Sequence, residues 1–247
     1  MSWQVHCLQT PHILCFSEHH LKKFELNQIN VEGYSLGAAY SRQRGDVCIF
    51  VHKNLNYTTI DLDKYCKDQD IEVCALKLES ASFNAHIMAV YRAPMGHFNL
   101  FLNRSDGIIK TFYKVDSKLI ICGDINIGNL TDSDKKRQLD AMLLTYNLSA
   151  IVQFPTRTQS YSSKAIYNLL IDTYKFLNYT VSPLYNGLPD HDAQLLTIND
   201  RNLQSQNRHF HITRNINKYT IQEFKTKLSR ESWENIFGSN GNMDVDS

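Results

Sequence analysis

The stretch that most constrains this chain is residues 118–126, Lys-Leu-Ile-Ile-Cys-Gly-Asp-Ile-Asn. Its apolar run leaves no room for polar alternation, so it reads as a strand buried on both faces. A fold that contains it must supply packed layers above and below. The run ends in glycine, an acid, an apolar residue and an amide. Asp124 and Asn126 are two apart, so both side chains leave the strand end on the same side. A carboxylate and a carboxamide aimed together from a buried strand make a polar site with a dry floor. A strand closed by an Asx-turn has the same spelling, and both readings stay open at this point.

The covering layers are legible on either side. Apolar or alternating runs predict strands at residues 12–18, 34–42, 46–51, 57–62, 71–78 and 85–91. The period then changes: Phe98, Phe101, Leu102, Ile108, Ile109 and Phe112 fall at helical spacing, although Gly107 weakens the middle. After residues 118–126 a second helix starts near Ser133, with Leu139, Met142, Leu143 and Tyr146 on one face and Asp132 or Ser133 as its N-cap. Strands follow at 149–153, 167–176, 180–182 and 193–198, while residues 1–10 read as the tail of a helix broken by Pro11. Strands outnumber helices and the helices do not alternate with them. That pattern predicts an α/β domain over residues 1–200, with two mainly antiparallel sheets face to face and helices outside. Residues 201–247 read as a polar, basic connector with one helix at 219–228 and a disordered stretch from 238.

Composition narrows the function classes. A net charge of +1 gives no global basic field, so nucleic-acid binding would have to rest on local residues such as Arg92, Arg157 and Lys164. The six cysteines form no CxxC pair and read as reduced core residues of an intracellular protein, not as a disulfide framework or a zinc site. No run approaches the length of a membrane-spanning helix, so no membrane partner is expected.

Four further polar clusters sit at predicted strand ends: Ser17-Glu18-His19-His20, Tyr91-Arg92, Asp172 after Leu170-Ile171, and Asp190-His191. Taken singly, each is also what a solvated strand end or loop looks like. Together they match a chemical requirement. In-line hydrolysis of a phosphodiester needs an acid that holds a magnesium ion, an acid that aligns the water and an amide that orients it. It also needs a histidine, poised by a second acid, to meet the charge developing on phosphorus. Glu18, Asp124, Asn126, Asp172 and His191 supply that set.

Phe16-Ser17-Glu18, Val90-Tyr91-Arg92, Gly123-Asp124-Ile125-Asn126, Ile171-Asp172 and Asp190-His191 stand in the order found in the endonuclease/exonuclease/phosphatase family. The chain most resembles the apurinic-like endonuclease domain of non-LTR (LINE-type) retrotransposon polyproteins. That branch is carried by the Ser-Glu-His-His-Leu stretch, the Tyr-Arg-x-Pro turn and Phe154-Pro155-Thr156-Arg157. The tail from Ile216 to Trp233 resembles the connector before such elements' reverse transcriptase.

The resemblance implies a four-layer α/β sandwich that hydrolyses DNA phosphodiesters with Mg2+ or Mn2+ in an intracellular, nuclear setting. The reverse transcriptase domain of the same polyprotein would be its partner, primed by the 3′-hydroxyl at the nick. By analogy Glu18 holds the metal, with Asp190 supporting the metal side. Asp124 aligns or deprotonates the water, Asn126 orients it, His191 contacts the scissile phosphate with Asp172 behind it, and Tyr91 lies against the phosphate.

Three departures stand out. The family's opening strand, which carries an asparagine beside the metal, has no counterpart ahead of Glu18, so an N-terminal strand is expected to be missing. Thr173 and Pro189 stand where other residues are usual. The competing expectations are a catalytically weakened or inactive fragment that only binds nucleic acid, and a same-fold phosphodiesterase or phosphatase with another substrate.

Overall fold

The computed structural model describes residues 10–41, 46–79, 83–113, 118–159, 162–184, 192–199 and 218–230. The helix expected over residues 1–10 and the disorder expected from 238 fall, but for Thr10, outside the described residues. The chain divides into two compact units, residues 1–210 and 211–247.

In the first unit the elements run β1 (Ile13–Ser17), α1 (Lys23–Leu26), β2 (Tyr34–Tyr40), β3 (Val47–His52), β4 (Tyr57–Ile60), β5 (Glu72–Glu79) and β6 (Asn84–Tyr91). Then come α2 (Phe98–Phe112), β7 (Lys118–Asp124), α3 (Asp134–Leu144), β8 (Leu148–Ala150), β9 (Arg157–Gln159), β10 (Ser162–Lys164), β11 (Tyr167–Asp172), β12 (Tyr179–Leu184) and β13 (Ala193–Ile198). The second unit contributes α4 (Lys218–Arg230), which exposes Ile221 and Leu228. Among the described residues no helix is long and apolar enough to cross a membrane.

β7 lies inside a six-stranded sheet of order β4-β5-β6-β7-β11-β8, antiparallel except for the parallel β6–β7 pair. Successive β7 side chains go to opposite faces. Leu119 and Ile121 join a core with Ile108, Ile109 and Phe112 of α2 and with Leu139 and Leu143 of α3. Ile120 turns the other way, into a core with Val47, Ile49 and Val51 of β3 and with Leu76, Ile87 and Ile171. Both faces of β7 are therefore dry, which is why its sequence does not alternate.

The layer across from this sheet comes in two pieces among the described residues: the three-stranded β1-β3-β2 and the β12–β13 hairpin. Both pack on the same core, the hairpin through Tyr179, Leu196 and Ile198. Behind β3, the outward side chains Cys48 and Phe50 pack with Leu26 of α1. Helices, sheet, sheet and a short outer helix make the four-layer α/β sandwich that the sequence suggested.

Helix α3 begins where its sequence says it should, since Ser133 Oγ accepts from the backbone N–H of Lys136 at 3.2 Å. α2 runs unbroken through Gly107, because its apolar face is clamped on the sheet and packing outweighs the glycine penalty of about 1 kcal/mol.

The glycine that the fold depends on is Gly123. Its φ is +141°, and a Cβ there would lie 1.9 Å from the Val90 carbonyl oxygen on β6. Only a bare α-carbon lets β7 approach β6 so closely just before Asp124. Gly123→Ala is therefore expected to cost about 3 kcal/mol or more in denaturant melts. Gly107→Ala, whose Cβ would meet only Tyr65 at 3.5 Å, is expected to gain about 0.5–1 kcal/mol. Equal melts for the two variants would contradict this account of the β6–β7 contact.

Candidate active site

Asp124 ends β7 and is fully buried. Its Oδ1 accepts the backbone N–H of Asn126 at 2.8 Å, so the Asx-turn is present. Its Oδ2 is also buried and meets no hydrogen-bond donor among the described residues. The turn therefore fixes one carboxylate oxygen and leaves the other without a donor, and the Asx-turn reading holds. Asn126 follows with φ +50°, a left-handed backbone that asparagine tolerates best among residues with a side chain. Its Nδ2 donates to the Arg92 carbonyl at 2.9 Å.

Arg92 holds this turn together. It is the largest fully buried side chain among the described residues, with 0% of its surface exposed. Nε donates to the Ile125 carbonyl at 2.9 Å and Nη2 to the Asn126 carbonyl at 3.0 Å, while Nη1 reaches the carbonyls of Ala93 and Gly96 at 3.1 and 2.9 Å. Its backbone N–H bonds the Asp124 carbonyl at 2.9 Å. The expectation that Arg92 contacts nucleic acid is thus corrected. The planar fork satisfies four carbonyls that the chain exposes on leaving the sheet, and its charge stays beneath the site.

The second acid arrives from the opposite layer. β1 ends at Ser17, and Glu18 takes a left-handed backbone, φ +56°, with its N–H on the Asp46 carbonyl at 2.9 Å. Glu18 Oε1 accepts the Tyr91 hydroxyl at 2.8 Å. Tyr91 stands beside Asp124 in the parallel β6–β7 ladder, and Tyr167 of β11 stands opposite Asp124 on its other side. The Tyr167 hydroxyl hydrogen-bonds the Ser17 side chain. Two tyrosines therefore flank Asp124, and each reaches across to the end of β1. Burial pushes both tyrosine hydroxyls well up, helped at Tyr91 by the hydrogen bond to Glu18 and at both by the negative charges of Glu18 and Asp124, while Ser17 and Arg157 pull Tyr167 back. Both stay protonated at neutral pH, and Tyr91 donates to Glu18.

Burial pushes the Asp124 carboxyl up to about 7. The Asn126 N–H opposes this, the charge of Glu18 adds to it, and Arg157 and Arg92 pull it back. Arg157 opens β9, directly after the fully buried Thr156. The Thr156 hydroxyl accepts the N–H groups of Ile166 and Tyr167 at 3.1 and 3.2 Å, and its carbonyl accepts that of Asp192 at 3.0 Å. Burial also raises Glu72, to about 7, even though its carboxylate takes the N–H of Asp46 at 2.6 Å and of Gln69 at 2.7 Å.

The donor set suits a small hard cation. Glu18 and Asp124 face one another closely enough to raise the latter's pKa, and Asp124 Oδ2 is buried without a donor. Among the described residues no three acidic, histidine or cysteine side chains cluster as a ready-made cage. Magnesium is commonly held by one or two carboxylates with water completing the shell, so Glu18 beside the Asp124 charge suffices.

The structure therefore brings together Glu18, Tyr91, Asp124, Asn126 and Arg157. It does not bring Asp172. β11 runs antiparallel to β7 with Tyr167 opposite Asp124, so Asp172 lies at the far end, paired with Leu148. Five residues of strand separate them, about 17 Å at the usual rise. Asp172 instead accepts the Tyr174 N–H at 3.0 Å and faces Lys175 at 3.7 Å. Asp190 and His191 lie outside the described residues, as does the Lys164 side chain, although its backbone pairs with Arg157 in the β9–β10 hairpin. Sequence reasoning named Ser17 only as part of a motif and missed Tyr167 and Glu72. Counting an antiparallel partner backward from Asp124 would have found Tyr167.

No protein-family model and no curated protein matches the sequence. Solved structures do. The endonuclease domain of TRAS1, a telomere-specific non-LTR retrotransposon, superposes with a TM-score of 0.57 at 13% identity, over 70% of this chain and 83% of that one. An AP endonuclease from Archaeoglobus fulgidus gives 0.53 at 14% identity, over 76% and 89%. The 3′ phosphatase NExo from Neisseria, bound to a product DNA hairpin, gives 0.55 at 12% identity over the same shares. These likenesses show that the fold is that of the endonuclease/exonuclease/phosphatase group.

Two outcomes test this geometry. Because the folded Asp124 carboxyl sits at about 7 against an unfolded value of 3.8, its ionisation opposes folding, and the penalty grows as pH rises from about 4 to 7. In chelator, Asp124→Asn should stabilise the protein by on the order of 2–4 kcal/mol at pH 8 and by under about 1 kcal/mol at pH 4.5. A gain independent of pH would contradict the burial argument. Arg92→Lys keeps the charge but loses the fork, and should cost about 3 kcal/mol in the same melts. A phosphate-contacting surface arginine would cost under about 0.5 kcal/mol.

Proposed function

We propose that the protein is a divalent-metal-dependent DNA endonuclease that hydrolyses phosphodiester bonds, of the kind that nicks target DNA to prime reverse transcription. The observation that carries this reading is Asp124: a buried carboxylate raised to about 7, with one oxygen fixed and the other without a donor, beside Glu18. A general base works best with a pKa near the working pH. The fold that this chain shares with a retrotransposon endonuclease domain and an AP endonuclease supports DNA as the substrate.

In this mechanism Asp124 Oδ2 takes the proton of the attacking water, while its Oδ1 stays on the Asn126 N–H. The Asn126 amide, tethered through Nδ2 to Arg92, leaves its oxygen to orient that water. A magnesium or manganese ion held by Glu18, with water completing its shell, would neutralise the phosphate oxygens as charge develops. Tyr91 holds Glu18 in place with its one hydroxyl proton and lies against the phosphate. Arg157 offers positive charge at the rim, with Lys164 opposite it in the hairpin. By resemblance, His191 would contact the scissile phosphate and Asp190 would support the metal side. Asp172 is too far away to take part. The reverse transcriptase domain of the same polyprotein is the proposed partner, and the nucleus the proposed place of action.

The test is nicking of supercoiled plasmid by the purified chain. Magnesium should support nicking and chelator should abolish it, and Asp124→Asn should lose about 10²–10⁴ in rate. DNA affinity of that variant should fall steeply between 50 and 200 mM salt, on the order of tenfold or more, because phosphate contacts dominate. Wild-type nicking by Asp124→Asn, or affinity insensitive to salt, would contradict the reading.

A further inference from the structure

Glu72 is an acid in the wrong place for a structural residue. It begins β5 between Ile71 and Val73, both in the helix-side core, and is 1% exposed. Burying a carboxylate there is costly unless it is well bonded. Its two bonds go to two backbone N–H groups on separate loops, Asp46 through Oε2 at 2.6 Å and Gln69 through Oε1 at 2.7 Å. Both residues have left-handed backbones, φ +70° and +67°. Glu72 thus holds two unfavourable turns in place at once.

What those turns do leads to the site. The Asp46 carbonyl, one peptide away from the N–H that Glu72 holds, accepts the Glu18 N–H at 2.9 Å. The Gln69 carbonyl accepts the Ala93 N–H at 2.8 Å, just past Arg92. Within the sheet, Glu72 stands directly opposite Tyr91, whose hydroxyl bonds the Glu18 carboxylate. Three routes therefore run from one buried side chain: to the backbone of Glu18, to the carboxylate of Glu18, and to the turn that carries Arg92. We infer that Glu72 is a positioning residue that fixes Glu18 for metal binding through Asp46 and Tyr91. This rests on the reading of Glu18 as a metal ligand.

Glutamine tests it cleanly. Its amide has one oxygen for two N–H donors, so Glu72→Gln keeps the size and must release one of the two turns. Mn2+ affinity, measured by calorimetry on the wild type and the variant, should weaken tenfold to a hundredfold, the usual cost of removing a group that orients a metal ligand. The Mn2+ concentration that half-saturates plasmid nicking should rise by the same factor. Leu78→Ala, a core truncation on the same strand, serves as control and should lower the melting temperature with Mn2+ affinity unchanged. If Glu72→Gln does not fold, Glu72→Asp takes its place, with both oxygens kept on a shorter stem and affinity expected to fall several-fold. Wild-type Mn2+ affinity in a folded Glu72 variant, or equal weakening by Leu78→Ala, would overturn the inference while leaving the nuclease reading intact. A wild-type chain that neither binds Mn2+ nor nicks DNA would overturn the nuclease reading and the inference with it.

Discussion

The rest of the structure depends on keeping one carboxylate out of water. Asp124 sits at the end of a strand whose two faces are both covered, with no exposed surface and a single fixed hydrogen bond. Leaving a charge there is expensive, and the chain surrounds it accordingly. Gly123 removes the side chain that would push β7 off β6. Arg92 fills the space beneath with a guanidinium whose four bonds close the carbonyls of the departing turn. These features put a carboxylate near neutrality at a fixed place. They also store instability, because the same burial that tunes Asp124 opposes its ionisation.

The two layers of the sandwich matter because the site is made only where they meet. Asp124, Tyr91 and Tyr167 come from the six-stranded sheet, while Ser17 and Glu18 come from β1 in the layer opposite. Tyrosine hydroxyls span the gap, from Tyr91 to Glu18 and from Tyr167 to Ser17. Glu18, Asp46 and Asn126 all take left-handed backbones without being glycine. Strain of that kind persists where surrounding contacts over-determine it, and here the contacts are identified: the Asp46 carbonyl, the Glu72 carboxylate and the Arg92 backbone.

Much of this was legible in the sequence. The strands at 13–17, 84–91 and 193–198 and the helix at 98–112 lie where alternation and period place them. The Gly-Asp-x-Asn spelling located the buried carboxylate and its turn. The errors share one cause. In the sequence, Arg92 and Asp172 are known only by their neighbours along the chain, whereas their roles are set by neighbours across space. An arginine beside a proline looks like a surface group until the carbonyls around it are seen. An acid ending a strand looks catalytic until the antiparallel register shows which end of the sheet it occupies. Glu72 was invisible for the same reason, since its partners at 46 and 69 lie on two different loops. The short β9–β10 hairpin gives too few residues for any period to show.

The central claim is that Asp124 is a buried carboxylate tuned to neutral pH, with one oxygen left without a donor beside Glu18. Carbon-13 NMR of the labelled Asp124 side chain, titrated against pH in chelator and then in magnesium, tests it directly. A midpoint near 7 in chelator, lowered when magnesium is added, is the expected result. A midpoint in the ordinary aspartate range near 4, unmoved by magnesium, would contradict the account.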